Sequence, residues 1–222
     1  PKGVLVSHLG LIKFGEASAK NRQLNSCDKA YAYVPMTHIF GLGTVLMSSL
    51  YSGSKLLMRH AFDPGDVFDS LANKGLSNLQ GPPTLYVRLL SWLEENGIQN
   101  PPCPKLRYVY TGAAPLDMVL KRRVEEVFKQ PLHHGYGLSE YAGALTLVER
   151  GINRADTSAG YVIDGGEVRI VDENGQDLPP NQKGEIWMRG IGLMPGYFRD
   201  EVATASVIKP GGWYASGDIG YL

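Results

Sequence analysis

Short apolar runs bounded by Gly, Pro, Asn and Asp alternate with amphipathic stretches over the first two thirds of the chain. This pattern predicts βα units around a mostly parallel sheet. The apolar runs at residues 30–34, 55–58, 76–80, 106–110 and 131–135 read as strands. Between them, Ser7 is placed to cap a helix running to about Lys20, and Asp63 puts a capping carboxylate ahead of Pro64 for a helix over 65–73. Pro82-Pro83 introduces a helix over 84–95. Pro115 introduces another over 116–129, where Leu116, Val119, Leu120, Val124, Val127 and Phe128 fall largely on one side. Beyond Leu147 the helical period disappears and short alternating strands take over, such as 167–171 and 184–189, with a hairpin-type turn at 172–175. The expected fold is therefore α/β, with residues 1–147 forming a mostly parallel sheet flanked by helices. Residues 148–222 are expected to form a small antiparallel, β-barrel-like subdomain, incomplete at its C-terminal end.

Composition narrows the function classes. In 222 residues, 22 Lys and Arg balance 22 Asp and Glu, so bulk charge offers no attraction for nucleic acid or anionic lipid. The 43% hydrophobic and 20% charged content excludes a disordered or fibrous protein. Cys27 and Cys103 are too few for a disulfide scaffold and lack C-x-x-C spacing, so both read as reduced thiols. No apolar run reaches the roughly 20 residues that span a bilayer. The chain opens on Pro1 and stops at Leu222 inside an apolar stretch, so we expect a piece of a longer protein, and a cytoplasmic one.

Several familiar motifs fail on inspection. Gly41-Leu42-Gly43 lacks the third glycine of a dinucleotide loop, and Gly137-Leu138-Ser139-Glu140-Tyr141 lacks the closing glycine of a hydrolase nucleophile elbow. His133 and His134 would face opposite sides of a strand and so cannot easily share a metal. Lys121-Arg122-Arg123 reads as a solvated helix face.

What remains is a set of Gly-bounded polar sites where predicted strands end, the place at which open α/β sheets bind ligands. The turn 111–115, Thr-Gly-Ala-Ala-Pro, lets a flat ring or a phosphate approach bare backbone just before a helix N-terminus. The stretch 135–140, Gly-Tyr-Gly-Leu-Ser-Glu, offers a ring, a hydroxyl and a carboxylate between glycines, suited to stacking a base, bonding a phosphate oxygen and holding Mg²⁺.

Taken in order, these motifs give the chain a resemblance to the adenylate-forming superfamily of acyl-CoA synthetases, coumarate-CoA ligases, luciferases and peptide-synthetase adenylation domains. Residues 1–4, Pro-Lys-Gly-Val, are similar to the tail of its phosphate loop. Gly112-Ala113-Ala114-Pro115 resembles its adenine-side turn, and Tyr136-Gly137-Leu138-Ser139-Glu140 its Tyr-Gly-x-Thr-Glu signature. The stretch from Gly184-Glu185-Ile186 through Gly196-Tyr197, and then residues 212–218, Gly-Trp-Tyr-Ala-Ser-Gly-Asp, match the next two motifs.

The resemblance implies that Tyr136 stacks on adenine while Gly112, Ala113 and Ala114 line the other side. It implies that Ser139 contacts the α-phosphate, Glu140 holds Mg²⁺, Asp218 accepts both ribose hydroxyls, and Lys2 touches the triphosphate. His134 and Gly135 occupy Gln-Gly positions of the ligase pattern, and His38 matches a histidine at the acyl and thiol tunnel. The cofactors and substrates implied are ATP or AMP, Mg²⁺, coenzyme A and a carboxylic acid. The neighbouring Met36, Ile39, Phe40 and Leu42, with no aspartate nearby, favour a fatty or aryl acid over an amino acid.

Two residues depart from the pattern. Ser139 replaces a threonine and loses its rotamer-restraining methyl, and Tyr141 stands where a small residue or threonine is common. The glycine-rich part of the phosphate loop, the hinge and the domain bearing the adenylation lysine lie outside these residues, so the piece alone is expected to bind nucleotide weakly and turn over poorly. The implied function is ATP-dependent acid-CoA ligation. The alternatives are an enzyme that loads a carrier protein and a catalytically silent nucleotide-binding protein.

Overall fold

The computed structural model describes residues 2–222. It contains two sheets, of which the first has the strand order β2-β1-β3-β4-β5-β6-β7. β1 (Lys29–Ala32), β2 (Lys55–Met58), β3 (Asn78–Gly81), β4 (Tyr108–Thr111) and β5 (Leu132–Leu138) run parallel. β6 (Gly143–Leu147) and β7 (Tyr161–Val162) then add on antiparallel. The second sheet is a curled, antiparallel half-barrel in the order β10-β11-β9-β8. It is built from β8 (Gly166–Val171), β9 (Gly184–Gly190), β10 (Ile208–Lys209) and β11 (Trp213–Gly220). The expected α/β class with a following β unit is therefore what the chain adopts. The two-residue strand β7, beyond Leu147, still belongs to the first sheet.

The helices begin where side-chain caps satisfy their free N–H groups. Ser7 Oγ accepts from Gly10 N at 2.9 Å to start α1 (His8–Asn21), and Asp63 accepts from Asp66 N at 2.6 Å to start α3 (Pro64–Ala72). α4 (Pro83–Glu95) enters on Pro82-Pro83 as expected. For α5 (Met118–Phe128) the cap is not at Pro115 but at Asp117, whose Oδ1 takes the N–H groups of Val119 and Leu120. Those N–H groups are thereby withdrawn from any ligand at the 112–115 turn. On α5, Lys121 is not part of a solvated face. It is 3% exposed and its ammonium is engaged by Glu125 one turn on.

A long π-helical stretch, Phe40–Met47, runs into the short helix α2 (Ser48–Ser52). Gly41 and Gly43 serve close packing here, since a Cβ on Gly41 would sit 2.2 Å from the Pro35 carbonyl oxygen. α6 (Glu201–Val207) lies in the region where no helix was expected; seven residues with no buried position leave no apolar stripe to read.

Three apolar clusters hold the layers. One face of the first sheet packs Leu79 and Val109 against Leu71, Leu89 and Val124 of α3, α4 and α5. The other places Tyr108 and Tyr110 beneath Phe14 of α1 and Phe40 and Val45 of the π-helix. Tyr141, Leu145, Met188, Tyr197 and Tyr214 join the two sheets. The unusual Tyr141 fits because Gly166, Gly190 and Gly192 surround it; a Cβ on Gly190 would lie 2.5 Å from its hydroxyl.

Candidate functional site

A cleft of about 290 Å³ opens where β4 and β5 end, as the strand-end argument required. His38, Ile39, Phe40 and Thr44 form one wall, while Tyr110 and Ala113 come from β4 and its following turn. Gly135, Gly137, Leu138, Ser139, Glu140, Gly143 and Ala144 come from β5, the Ser139–Tyr141 turn and β6. Of the candidate residues, the cleft thus gathers His38, Ala113, Gly135, Ser139 and Glu140. A larger groove of about 570 Å³ between the ends of α4 and α5 contains none of them.

Local glycines make this arrangement possible. On Gly137 a Cβ would approach the Gly143 carbonyl oxygen to 2.2 Å, so only glycine lets β6 close onto β5 at their register shift. Gly135 gives the same freedom beside the Tyr110 hydroxyl, 2.6 Å from where its Cβ would be. Ala113 adopts a left-handed φ of 65°, a strained conformation for a residue with a side chain and one that clusters at functional sites.

Tyr136 projects from β5 toward the second sheet, where its hydroxyl donates to Asp218 Oδ2 at 2.6 Å. Burial and the Asp218 carboxylate both push the Tyr136 phenol well above its ordinary pKa, so it stays protonated and donates. Asp218 is placed by an interruption of β11: the ladder to β9 breaks between Ala215 and Ile219, and Gly217 takes a φ of 76°. Ser216 Oγ donates to Ile186 O at 2.7 Å and accepts from Asp218 N at 3.0 Å, while Gly217 N donates to Glu185 Oε1 at 2.8 Å. The bulge aims the carboxylate out of the sheet.

Glu140 is oriented by a residue to which sequence reasoning gave no role. Tyr197 donates to Glu140 Oε1 at 3.0 Å and lies 3.3 Å, hydroxyl to hydroxyl, from Tyr214. The Lys2 ammonium sits 4.7 Å from the Tyr197 ring centroid, which brings the N-terminal candidate to the same place. Tyr197 and Tyr214 stood within recognised motifs, and their position beside glycine and tryptophan was the signal available. His134 faces away from the cleft walls toward the loops, with Nδ1 3.1 Å from Thr157 O and Nε2 3.4 Å from Ala114 O. His133 points the other way and is buried, so the pair does not chelate. Gly112 is buried at the turn, with the Tyr110 hydroxyl 2.9 Å from where its Cβ would be, and Ala114 is exposed beside it.

No group of three or more metal-ligating side chains occurs among the described residues. Among them, too, no helix is long and apolar enough to cross a membrane, and both cysteines are free thiols.

The family model described as AMP-binding enzyme matches residues 1–198. A 4-coumarate–CoA ligase of Vanilla planifolia is 31% identical over the whole of this chain, which spans 41% of that enzyme's length. An ATP-bound crystal structure of MatB from Rhodopseudomonas palustris superposes with a TM-score of 0.92 at 25% identity, covering all of this chain and 43% of MatB. O-succinylbenzoate coenzyme A synthetase from Bacillus subtilis, in complex with ATP and magnesium, superposes with a TM-score of 0.87 at 26% identity, covering all of this chain and 45% of that structure.

Proposed function

Because the chain belongs to the AMP-binding enzymes, we propose that it forms the nucleotide- and acid-binding part of an acid-CoA ligase, which activates a carboxylic acid with ATP and transfers the acyl group to coenzyme A. The observation that carries this reading is the meeting of Tyr136 and Asp218 at 2.6 Å across two sheets, with Tyr136 standing in β5 between Gly135 and Gly137, which line the cleft that holds Ser139 and Glu140. In this reading the ring serves the base, the carboxylate the sugar hydroxyls and the Ser139 hydroxyl the phosphate of one mononucleotide.

Activation brings two anions together, the carboxylate and the triphosphate, so the site has to align them and offset their charge. In this reading Tyr136 stacks on adenine, with Gly112, Ala113 and Ala114 on its other side. Asp218 accepts from the ribose, where a carboxylate's paired oxygens suit adjacent hydroxyls. Ser139 donates to the α-phosphate, and Lys2 brings a positive charge to the triphosphate.

The residues present fit Mg²⁺. A single carboxylate, one oxygen of which is held by Tyr197, suits an ion that takes one or two carboxylates and fills its remaining positions with phosphate oxygens and water. When bound, that ion supplies charge neutralisation to the phosphates. Ile39 and Phe40, with the Tyr110 ring, make an aromatic and aliphatic wall that suits a fatty or aryl acid, and His38 stands at the same cleft, where the acyl group and the thiol would meet.

The test is acid-dependent ATP–pyrophosphate exchange by the intact protein across fatty, aryl and amino acids, followed by thioester formation with free coenzyme A. Exchange with a fatty or aryl acid and transfer to free coenzyme A are expected. Transfer only to a phosphopantetheine-bearing protein would make it a carrier-protein loader, and nucleotide binding without exchange would make it catalytically silent.

A further inference from the structure

The floor of the cleft rests on a buried cation that no carboxylate among the described residues neutralises. Arg22, at the C-terminal end of α1, is 0% exposed. Its Nη1 donates to Thr44 O at 3.0 Å and Gln80 Oε1 at 2.8 Å, and its Nε and Nη2 have no hydrogen-bond partner among the described residues. The guanidinium carbon lies 4.4 Å from the Tyr110 ring centroid and 5.6 Å from that of Tyr108. Strand register explains the setting: Asn78 and Gln80 of β3 lie beside Tyr108 and Tyr110 of β4 on one face, and β1 supplies only Ala30 and Ala32 there. Every partner of this arginine is therefore neutral.

A buried charge without a counter-ion is costly, and proteins ordinarily pair it. Here two of the groups it touches, Thr44 and Tyr110, themselves line the cleft. The Thr44 carbonyl belongs to the π-helical stretch, and it takes Arg22 together with the Ser48 hydroxyl. Arg22 thus braces an irregular wall of the cleft and sets a positive charge one residue below its surface. In a low-dielectric setting that charge acts on whatever occupies the cleft.

Building on the acid-activating reading, we propose that Arg22 is a positioning residue whose unneutralised charge makes the cleft select carboxylate-bearing ligands over neutral molecules of the same shape. The occupant it favours is the acid itself, before activation.

The experiment compares equilibrium binding of cinnamate and hexanoate with that of their primary amides to the intact protein, by calorimetry without ATP. In the unmodified protein at least one acid is expected to bind about ten-fold more tightly than its amide, the order of effect for a charge in a partly shielded site. Gln80→Glu places a carboxylate against Arg22 with little change of shape. It is expected to bring that ratio close to one while amide binding is retained and thermal stability is equal or higher, a combination that a purely structural role would not give. Arg22→Lys, which keeps the charge, should retain the preference, and Arg22→Gln should lose it. Should Arg22→Gln fail to fold, Gln80→Glu and Arg22→Lys still decide. Equal binding of acid and amide, failure to bind either, or an unchanged preference in Gln80→Glu overturns the proposal. Pyrophosphate exchange in the same preparations tests the acid-activating reading separately.

Discussion

The Tyr136 hydroxyl and the Asp218 carboxylate are joined by a hydrogen bond of 2.6 Å although 82 positions separate them in the chain. One residue stands on the strand that closes the parallel part of the first sheet, the other on an interruption of β11 in the second. The bond therefore ties the two sheets together beside the strand β5, whose Gly135 and Gly137 line the cleft. It takes one acceptor site on Oδ2 and leaves the remaining lone pairs of both carboxylate oxygens for a ligand.

Asp218→Ala should weaken ATP or AMP binding by ten-fold or more, about 1.4 kcal/mol, because a carboxylate bonded to ribose hydroxyls makes charge-assisted bonds. Tyr136→Phe keeps the ring and should change affinity by less than about three-fold, whereas Tyr136→Ala should approach the Asp218→Ala loss. Calorimetric titration of the intact protein with nucleotide measures all three. Equal affinity in Asp218→Ala and the unmodified protein would remove that residue from the site.

Glu140→Gln keeps the shape of the side chain and removes its charge. Adenylate formation, followed by pyrophosphate exchange over a range of Mg²⁺ concentrations, should drop by two orders of magnitude, about 2.7 kcal/mol at the barrier. Tyr197→Phe frees Glu140 Oε1 without removing charge and should cost less, about three- to ten-fold. A Tyr197→Phe loss as large as that of Glu140→Gln would mean the phenol itself takes part.

The parallel strands β1–β5 and the helices α1 and α3 are legible as short apolar-rich runs bounded by turn residues and as local Ser7 and Asp63 caps, whereas β6, which adds on antiparallel, was not among the expected strands. β5 extends past the expected end at Gly135 to Leu138, since glycines hide strand character from any hydrophobic count. Motif order singled out Tyr136, Glu140 and Asp218, whereas the contacts of Tyr197, Glu185 and Arg22 form only on folding. No local pattern announces that Lys121 is buried or that Arg22 lacks a counter-ion, since both depend on which strands lie side by side.

Two glycines near the site should respond differently to alanine. At Gly137 the new Cβ meets the Gly143 carbonyl oxygen at 2.2 Å, a backbone atom that cannot step aside, so Gly137→Ala should destabilise by about 2 kcal/mol or more. At Gly217 the Cβ meets nothing, and only the φ of 76° is unfavourable, so Gly217→Ala should cost about 1 kcal/mol. Urea denaturation of the two variants ranks them. Gly217→Ala as the more damaging would show that the β11 interruption tolerates less than its open surroundings suggest.

His133 makes stability depend on pH in a definite direction. Its Nδ1 lies 3.0 Å from Val109 O while Nε2 accepts from Gly151 N at 3.1 Å, a pairing that requires the neutral ring with its proton on Nδ1. Burial holds its pKa below the ordinary value of 6.5, and burial lowers that of His134 as well. The unfolded chain therefore binds more protons than the native one as pH falls through about 6.5, and stability declines below that point and is complete above it. Asp28 and Asp66 titrate in a separate, more acidic window. For Asp28, burial pushes its pKa up but is outweighed by Arg107 with help from the Asn25 N–H and the Ser77 hydroxyl; for Asp66, the Arg59 hydrogen bond is the chief depressing cause. Urea midpoints at pH 7.5, 6.5 and 5.5 should fall in that order. His133→Gln should start lower but decline less steeply, because one of the two depressed imidazoles is gone; a slope identical to that of the unmodified protein would place the pH dependence elsewhere.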